Sequence, residues 1–597
     1  MAGDPSEATR WQQRFALPET EGSSKVCDLS TAIETLVRPG DTIHVAYSDA
    51  RPNAALVQLA RTFAGTRPDF TLVTAGLVSV QHALIELGLV TRVVASFAGE
   101  NYPVARPNPA LGRALAEGRV DIEHWSLWSL IARLAAGALG VSHFPVRSMV
   151  GSTMGEEAAA RGELIVLDGA DGEAPTALVK ALRPDVVLLH GAAADEHGNV
   201  VLAAPYGEGS WGALAARRGV VATVERIVST AELREMNALV KIPGHVVHAV
   251  CEVPFGAHPY GFNNPGVAGV RSYGEDEAFV DDVLRASRSS EGFRAWIDDW
   301  VIGTPSHGDL VARLTPPRLE ALTVGRGPDG WMGRVDDSWS SDVAATATET
   351  QVVVTARRLE AAVTERGFDV ILAGVGLSNL AAWTGAEHLR GESVDVELMA
   401  EIGLYGYLPR PGEPFIFAGQ NVPTNKHLTD VMSVLGTYVS GPGSRSIGVI
   451  GAGEIDRSGA INSTYGRDGR FIVGSGGAND VLSSADEVII TVSHQPGRLV
   501  DEVSYVTCPG SRVRTIVTDL AVLERVDGEF VLVALLPAAG EDRDAAVDLV
   551  RERTGWDLPI SPDLVVEPPA TQEELDRLRV FDPALLFLRD RRESVTV

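Results

Sequence analysis

The sequence predicts an α/β fold with mostly parallel sheets and crossover helices. The main observation is a recurrent unit, in which a short β-branched apolar run is followed by a turn of small residues and then a helical stretch. DTIHVAY followed by NAALVQLARTFAG is one such unit, and DVILAGVG followed by NLAAWTGAEHL is another. Strands that alternate with helices in this way are typical of parallel neighbours, because parallel pairs need a long crossover connection.

The chain also divides into two halves that resemble each other. Residues 187–200 and 448–461 both run from an apolar strand through a Gly/Ala turn to the pattern Asp-x-x-Gly. Between them lies a segment rich in Gly, Pro, Ser and Asp without sustained periodicity, which is typical of a connection. We therefore expect two homologous α/β halves, divided as follows: residues 1–22 form a tail, 23–302 the first domain, 303–348 the connection and 349–597 the second domain.

Composition excludes several classes of partner. The 597 residues include 51 Lys and Arg against 79 Asp and Glu, which gives a net charge of −28, and no basic run interrupts this balance. A sequence-independent grip on nucleic acid or anionic lipid needs clustered cations, so we expect neither partner. No apolar stretch reaches the 18 or so residues that span a bilayer, and the N-terminal segment lacks the apolar core of a signal peptide. We expect a cytoplasmic enzyme.

The sequence gives no sign of a metal site. Cys27, Cys251 and Cys508 are far apart and form no CxxC pair, and the spacing of the histidines matches no zinc pattern. We expect no metal cofactor and no disulfide framework.

Glycine clusters in the second half mark a candidate binding edge. GVGL, EIGLYG and GSGGAND each follow an apolar run, so each is expected at a strand end, where backbone N–H groups can approach a ligand. A nucleotide-binding loop is the competing interpretation. It is disfavoured because the chain has no GxxxxGK[ST], and GVGLSNL is not GxGxxG.

One carboxylate lies inside this glycine-rich setting. Glu401 follows the run VELMA and precedes Gly403 and Gly406. A carboxylate can be a covalent nucleophile where a site positions the electrophile, whereas a solvent-exposed strand-end glutamate is the ordinary alternative. Spacing alone leaves both open.

The motifs of both halves resemble those of one enzyme family. EIGLYG, GAGEIDRSGAINST and GSGGAND occur in this order and resemble the β subunit of family I coenzyme A transferases, particularly the glutaconate CoA-transferase branch. RPGDTIHVAY, VLLHGAAADEHGNVVL and IPGHVVHAVCEVPFGAHP are similar to the α subunit of the same branch. The resemblance implies that the two subunits are fused in this chain.

This resemblance implies a ping-pong CoA-transferase with acyl-CoA and a carboxylic acid as substrates. In such enzymes the glutamate that matches Glu401 forms an acyl-glutamyl anhydride and then a glutamyl-CoA thioester. The glycine-rich turns then become candidate contacts of CoA or the thioester oxygen, and the family's usual assembly implies a homodimer or higher homo-oligomer. The candidate CoA-binding residues are Gly403, Gly474, Gly476, Gly477 and Ala478.

Departures from the family pattern leave alternatives open. The β-type motif has Glu454, Ser458 and Ala460 where relatives usually have Gln, an aromatic residue and Asn, and a glycine-rich turn of the α half is replaced by residues 47–52. Relatives in the steroid-degrading branch open a ring with water and resemble this chain around Glu100. The alternatives are therefore a CoA-thioester hydrolase or ring-opening enzyme, or a catalytically silent CoA-thioester-binding protein.

Three further side chains are candidates, each with a structural alternative. Glu100 could act as a general base or be a surface or loop-capping residue. Tyr405 could shape the acyl pocket or simply pack. Arg147 could pair with an acidic substrate or form a structural salt bridge.

Overall fold

The computed structural model describes most of the chain. The described residues are 6–47, 49–102, 105–169, 174–325, 329–335 and 343–588.

The first half is built on parallel strands with helices packed against them. Its strands are β1 (Thr42–Val45), β2 (Phe70–Leu77), β3 (Val90–Ala98), β4 (Asp121–His124), β5 (His143–Val146), β6 (Leu164–Leu167), β7 (Thr176–Lys180), β8 (Val186–Asp195), β9 (Val200–Leu202), β10 (Gly219–Val228), β11 (Val240–Ile242) and β12 (Val247–Glu252). Its helices are α1 (Glu7–Arg14), α2 (Leu29–Leu36), α3 (Asn53–Phe63), α4 (His82–Glu86), α5 (Pro109–Ala116), α6 (Leu127–Leu139), α7 (Thr153–Ala160), α8 (Trp211–Ala215), α9 (Thr230–Glu235), α10 (Glu277–Ala286) and α11 (Ser290–Ile297).

The main sheet of this half is parallel along the order β12-β10-β8-β1-β2-β3-β4. β9 and β11 add an antiparallel extension beside β8, and β5, β7 and β6 form a separate antiparallel sheet. Every residue of β8 is buried, as expected for a parallel strand covered on both faces. The carboxyl ends of β1, β2, β3 and β4 therefore meet at one edge.

The connection between the halves contains helices that the sequence did not predict. α12 (His307–Arg313) and α13 (Pro316–Gly325) lie within the segment expected to lack periodic structure. Tertiary contacts hold them in place, because Arg318 donates to Asp276 at 2.6 Å and the Leu322 carbonyl accepts from Gly274 N–H. Short helices of this kind depend on packing more than on propensity, and this explains why composition alone missed them.

The second half repeats the same plan. Its strands are β13 (Val370–Ala373), β14 (Glu397–Ala400), β15 (Leu404–Tyr405), β16 (His427–Leu428), β17 (Ser446–Gly451), β18 (Glu454–Asp456), β19 (Ile461–Asn462), β20 (Glu487–Thr491), β21 (Leu499–Val500), β22 (Val513–Val517), β23 (Ala521–Val526), β24 (Glu529–Leu535) and β25 (Ile560–Val566). Its helices are α14 (Ala347–Arg366), α15 (Leu377–Gly391), α16 (Val431–Ser433), α17 (Ala478–Ser484), α18 (Arg543–Glu552) and α19 (Gln572–Arg579).

The order of its parallel strands, β22-β20-β17-β13-β14, matches β12-β10-β8-β1-β2 of the first half. The predicted fold of two homologous α/β halves is therefore confirmed. β15 and β16 continue this sheet in antiparallel fashion beyond β14. The hairpin between β14 and β15 begins at Glu401, which places this residue at the carboxyl edge of the second sheet.

The two halves share an apolar core. Trp128 of α6 belongs to the same buried cluster as Met399 of β14 and Val434. A Cβ on Gly436 would lie 2.9 Å from the Trp128 ring, so the halves are in close contact at this point. Among the described residues, no helix is both long and apolar enough to cross a membrane.

Candidate active site

Glu401 is placed by a tight turn that only glycine can complete. Gly403 donates its N–H to the Ala400 carbonyl at 3.1 Å and has φ +115°. A Cβ on Gly403 would lie 2.0 Å from the Thr429 carbonyl oxygen. Gly403 therefore has a structural role in holding Glu401 at the end of β14, besides its predicted contact with CoA.

The Glu401 side chain is only partly buried and lies at the junction of the two halves. A Cβ built on Gly477 would be 3.5 Å from the Glu401 Cγ atom, so the Gly477 backbone closely borders this side chain. Burial raises the pKa of Glu401 to about 7, and the negative charge of Asp480 adds to this effect. Besides burial, the charge of Glu401 also raises the pKa of Tyr47 in the first half, so the two side chains are close enough to interact electrostatically.

The glycine-rich segment at residues 474–478 is a contact surface between the halves. A Cβ on Gly474 would lie 2.2 Å from the Ser96 carbonyl oxygen at the end of β3. Gly476 donates its N–H to that same oxygen at 2.9 Å, and its carbonyl accepts from Leu127 N–H at 2.9 Å. These glycines let the second half pack directly on the carboxyl edge of the first sheet.

This packing limits which backbone N–H groups can donate a hydrogen bond to a ligand. The Gly476 N–H is already engaged, and Ala478 N–H donates to the Ser475 carbonyl at 3.1 Å. For Gly477 N–H, no acceptor is found among the described residues. Of these three predicted contacts, Gly477 therefore has the N–H that remains available to a bound group.

Glu100 lies at the end of β3 but is sealed from solvent. Its side chain is 0% exposed, so the interpretation as a surface glutamate is wrong. Oε1 accepts from Asn108 Nδ2 at 2.7 Å and from Ser79 N–H at 3.3 Å. Oε2 is buried and has no partner among the described residues. Burial raises the pKa of Glu100 to about 7, although these hydrogen bonds oppose the shift.

A buried arginine beside the site was not recognised as a candidate from the sequence. The Arg51 guanidinium lies 4.4 Å from the centre of the Tyr47 ring and 5.1 Å from that of Tyr260. It also donates to the Gly76 carbonyl at 3.0 Å. Residues 47–52 departed from the family pattern in the sequence, and this departure was the only available signal. The sequence contained no signal for Tyr260, because the contact of its ring with Arg51 depends on the tertiary fold.

The other two candidates take different positions. Tyr405 is half-buried and packs edge-to-face against Tyr438, with ring centres 5.6 Å apart, so a packing role accounts for it. Arg147 is exposed and makes no ion pair within 4 Å in the part of the chain that the structure describes. Among the described residues, the structural salt bridge considered for Arg147 is therefore not formed. Its neighbour Met149 donates its N–H to Asn479 at 2.8 Å, so Arg147 is close in sequence to an inter-half contact.

The histidines and cysteines form no candidate metal centre with the residues that the structure describes. Across the described residues, no group of three or more His, Cys, Asp or Glu side chains is arranged to hold a metal ion. Cys251 and Cys508 are buried, and burial raises the pKa of both thiols. A raised thiol pKa disfavours the reactive thiolate at neutral pH.

Comparison with known proteins identifies relatives of both halves. A family model described as coenzyme A transferase matches residues 26–253. The chain is 28% identical over 304 residues to one subunit of the 3-oxoadipate CoA-transferase from Pseudomonas knackmussii, which covers 49% of this chain and 98% of that subunit. It is 27% identical over 238 residues to the other subunit of that enzyme, covering 36% of this chain and 86% of the subunit.

A protein of Archaeoglobus fulgidus is 32% identical over 235 residues, which is 39% of this chain and half of that protein's length. The crystal structure of an acyl-CoA transferase from Escherichia coli O157:H7 aligns with a TM-score of 0.62 at 16% identity. This alignment covers 95% of this chain and 98% of that chain, so the same fold extends over both halves.

The difference in access between Glu401 and Glu100 leads to a first prediction. Water-soluble carbodiimide reacts with protonated carboxyl groups that it can reach. We expect modification of Glu401 to fall with rising pH and to be half-maximal near pH 7, because the pKa of Glu401 is raised to about 7. Glu100 has a similar pKa but should stay unmodified, since its side chain is sealed. Peptide mass spectrometry across a pH series measures both, and equal labelling of the two glutamates would contradict the described geometry.

Gly403→Ala should destabilise the protein by about 3 kcal/mol or more, because the new Cβ would overlap the Thr429 carbonyl and φ is positive. Denaturant unfolding measures the change. Gly391→Ala is the matched control. It lies at the end of α15 with open space around its Cβ position, so its stability should be unchanged or slightly higher. Equal effects of the two substitutions would contradict this account of the turn.

Proposed function

We propose that the chain is a family I CoA-transferase, because it is similar to both subunits of such an enzyme within one polypeptide. In this proposal it moves CoA from an acyl-CoA to a carboxylic acid, and Glu401 carries the CoA between the two as a thioester.

The observation that carries this proposal is the contrast between two carboxylates at the carboxyl edges of the sheets. Both have pKa values raised to about 7 by burial. Glu401 remains partly exposed at the junction of the halves, whereas Glu100 is fully enclosed. A nucleophile must reach the carbon that it attacks, and the partial exposure of Glu401 supports this role over the enclosed Glu100.

The chemistry of the proposed cycle is balanced without ATP. The Glu401 carboxylate attacks the thioester carbonyl of the acyl-CoA, CoA thiolate leaves, and an acyl-glutamyl anhydride forms. The thiolate then attacks the glutamyl carbonyl, which releases the donor acid and leaves a glutamyl-CoA thioester. An acceptor carboxylate repeats these steps in reverse, so that a new acyl-CoA leaves and Glu401 is regenerated.

The surroundings of Glu401 suit this chemistry. Partial burial makes its carboxylate more basic than an exposed one, and a more basic carboxylate is a stronger nucleophile once ionised. The Gly477 N–H, next to the Glu401 side chain, is available to donate to the oxygen on which charge develops during attack. One preorganised donor of this kind contributes about 3 kcal/mol to such a step.

A hydrolase or ring-opening enzyme that uses Glu100 is the second candidate function. The pKa of Glu100 near 7 suits a general base at neutral pH, and the His82 ring nitrogen lies 3.5 Å from Oε1. Both Glu100 oxygens would first have to be uncovered, since the side chain is sealed. This requirement is why we favour transfer through Glu401.

Substitution of the two glutamates separates these functions. Glu401→Ala should abolish both CoA transfer and the CoA adduct, and Glu401→Asp should lower the transfer rate about a hundredfold, because it withdraws the nucleophile by about an ångström. Glu100→Gln is the matched control and should retain the adduct. Mass spectrometry of the Glu401 peptide after incubation with an acyl-CoA, with borohydride trapping, measures the adduct.

Two results would contradict the proposal. Release of free CoA without a carboxylate acceptor, lost in Glu100→Gln and kept in Glu401→Ala, would establish the hydrolase. Tight binding of acyl-CoA with neither adduct nor turnover would support a silent binding protein.

A further inference from the structure

Asp480 is buried at the junction of the halves and hydrogen-bonds to the opposite half. Its side chain is 1% exposed and lies in the first turn of α17. Ser126 Oγ donates to its Oδ1 at 2.6 Å, and Trp128 N–H donates to its Oδ2 at 3.0 Å. Both donors belong to the first half, so a carboxylate of one half is satisfied by groups of the other.

These donors are the N-terminal cap of α6. Ser126 is the N-cap residue, and its side chain also accepts from Ser129 N–H. Trp128 N–H is one of the helix-start donors that lack a partner within the helix. Asp480 thus completes the cap from outside, and its negative charge is favoured at the positive end of the helix dipole.

The bonds beside Asp480 extend the same connection toward Glu401. Asn479 accepts from Met149 N–H at 2.8 Å and donates to the Thr507 carbonyl at 2.8 Å. On the other side, the Gly476 carbonyl accepts from Leu127 N–H. Gly477 lies in the sequence between Gly476 and Asn479, which these bonds hold in place, and it borders the Glu401 side chain. A shift of Asp480 would therefore be passed directly to the backbone beside Glu401.

We propose that Asp480 is the positioning residue of Glu401, because it ties the glycine-rich segment to the start of α6 and so holds Gly477 against the glutamate. This inference rests on the proposed function only where it predicts the effect of Asp480 on CoA transfer. The placement of Glu401 by Asp480 can be tested without turnover.

Charge supplies a second link between the two residues. Asp480 raises the pKa of Glu401, and burial raises the pKa of Asp480 itself to about 6. Besides burial, Glu401 in turn raises the pKa of Tyr47 and Tyr407, and Asp480 raises that of Cys508. The pKa values of these three groups are raised, so they stay neutral around pH 7. Between pH 5 and 8, the ionisation of Asp480 is thus the main influence within this set.

The test compares Asp480→Ala and Asp480→Asn with a control at another inter-half bond. The Tyr505 hydroxyl donates to Glu157 across the halves at 3.1 Å, but it has no part in the segment beside Glu401. Tyr505→Phe removes that bond alone. The first readout is the rate of glutamyl-CoA formation, measured as trapped adduct on the Glu401 peptide.

We expect Asp480→Ala to slow adduct formation about a hundredfold, as an ångström-scale misplacement does, and Tyr505→Phe to leave the rate within about twofold. The second readout is carbodiimide modification of Glu401 as a function of pH. Asp480→Asn should move its midpoint to lower pH, because the repelling charge is gone, whereas Tyr505→Phe should leave the midpoint unchanged.

Equal losses of rate in Asp480→Ala and Tyr505→Phe would overturn the proposal, since general loosening of the halves would then explain both. An unchanged midpoint in Asp480→Asn would also overturn it. If the wild-type protein forms no adduct, the proposed function fails. The pH midpoint of carbodiimide modification in Asp480→Asn then still decides whether Asp480 acts on the pKa of Glu401.

Discussion

The two halves approach each other so closely at residue 474 that no side chain fits between them. A Cβ at this position would overlap the Ser96 carbonyl oxygen, and the same oxygen accepts from the Gly476 N–H. Because Ser96 lies near the carboxyl end of β3, the contact brings the carboxyl edges of both sheets together. Tyr47 of the first half comes near Glu401 of the second half as a consequence of this approach. The site is therefore a property of the assembled halves.

Burial gives the carboxyl groups near the junction of the halves their chemical character. Several acidic groups here have pKa values raised toward neutrality, and burial is the largest cause in each case. A carboxylate that is harder to ionise is more basic, so ionised Glu401 would be a stronger nucleophile than a glutamate on an open surface. What separates Glu401 from Glu100 is access, since one is partly exposed and the other is sealed.

The fold was predictable from the sequence because its signals are local. Strand, turn and helix recur along the chain, and the echo between residues 187–200 and 448–461 predicted the repeated strand order that the structure confirms. The helices of the connection were missed, because contacts such as that between Arg318 and Asp276 stabilise them. Local pattern cannot report contacts made with distant parts of the chain.

The candidate site was predictable in part. The position of Glu401 among glycines and its likeness to a family motif identified it, and the structure places it at a strand end beside Gly477. The burial of Glu100 depends on the packing around β3. The hydrogen bond of Asp480 joins it to Ser126, more than three hundred positions away in the sequence. No spacing rule reveals such pairs. The glycines of GSGGAND were predicted to contact a ligand, and the close approach of Ser96 to Gly474 gives a structural reason for a glycine there as well.

A crystal structure of the protein after incubation with an acyl-CoA tests the central claim most directly. We expect continuous electron density from the Glu401 side-chain carbonyl carbon to the sulfur of CoA, with the pantetheine arm between the two halves. An intact acyl-CoA whose thioester carbonyl lies against an uncovered Glu100, with Glu401 unmodified, would contradict it.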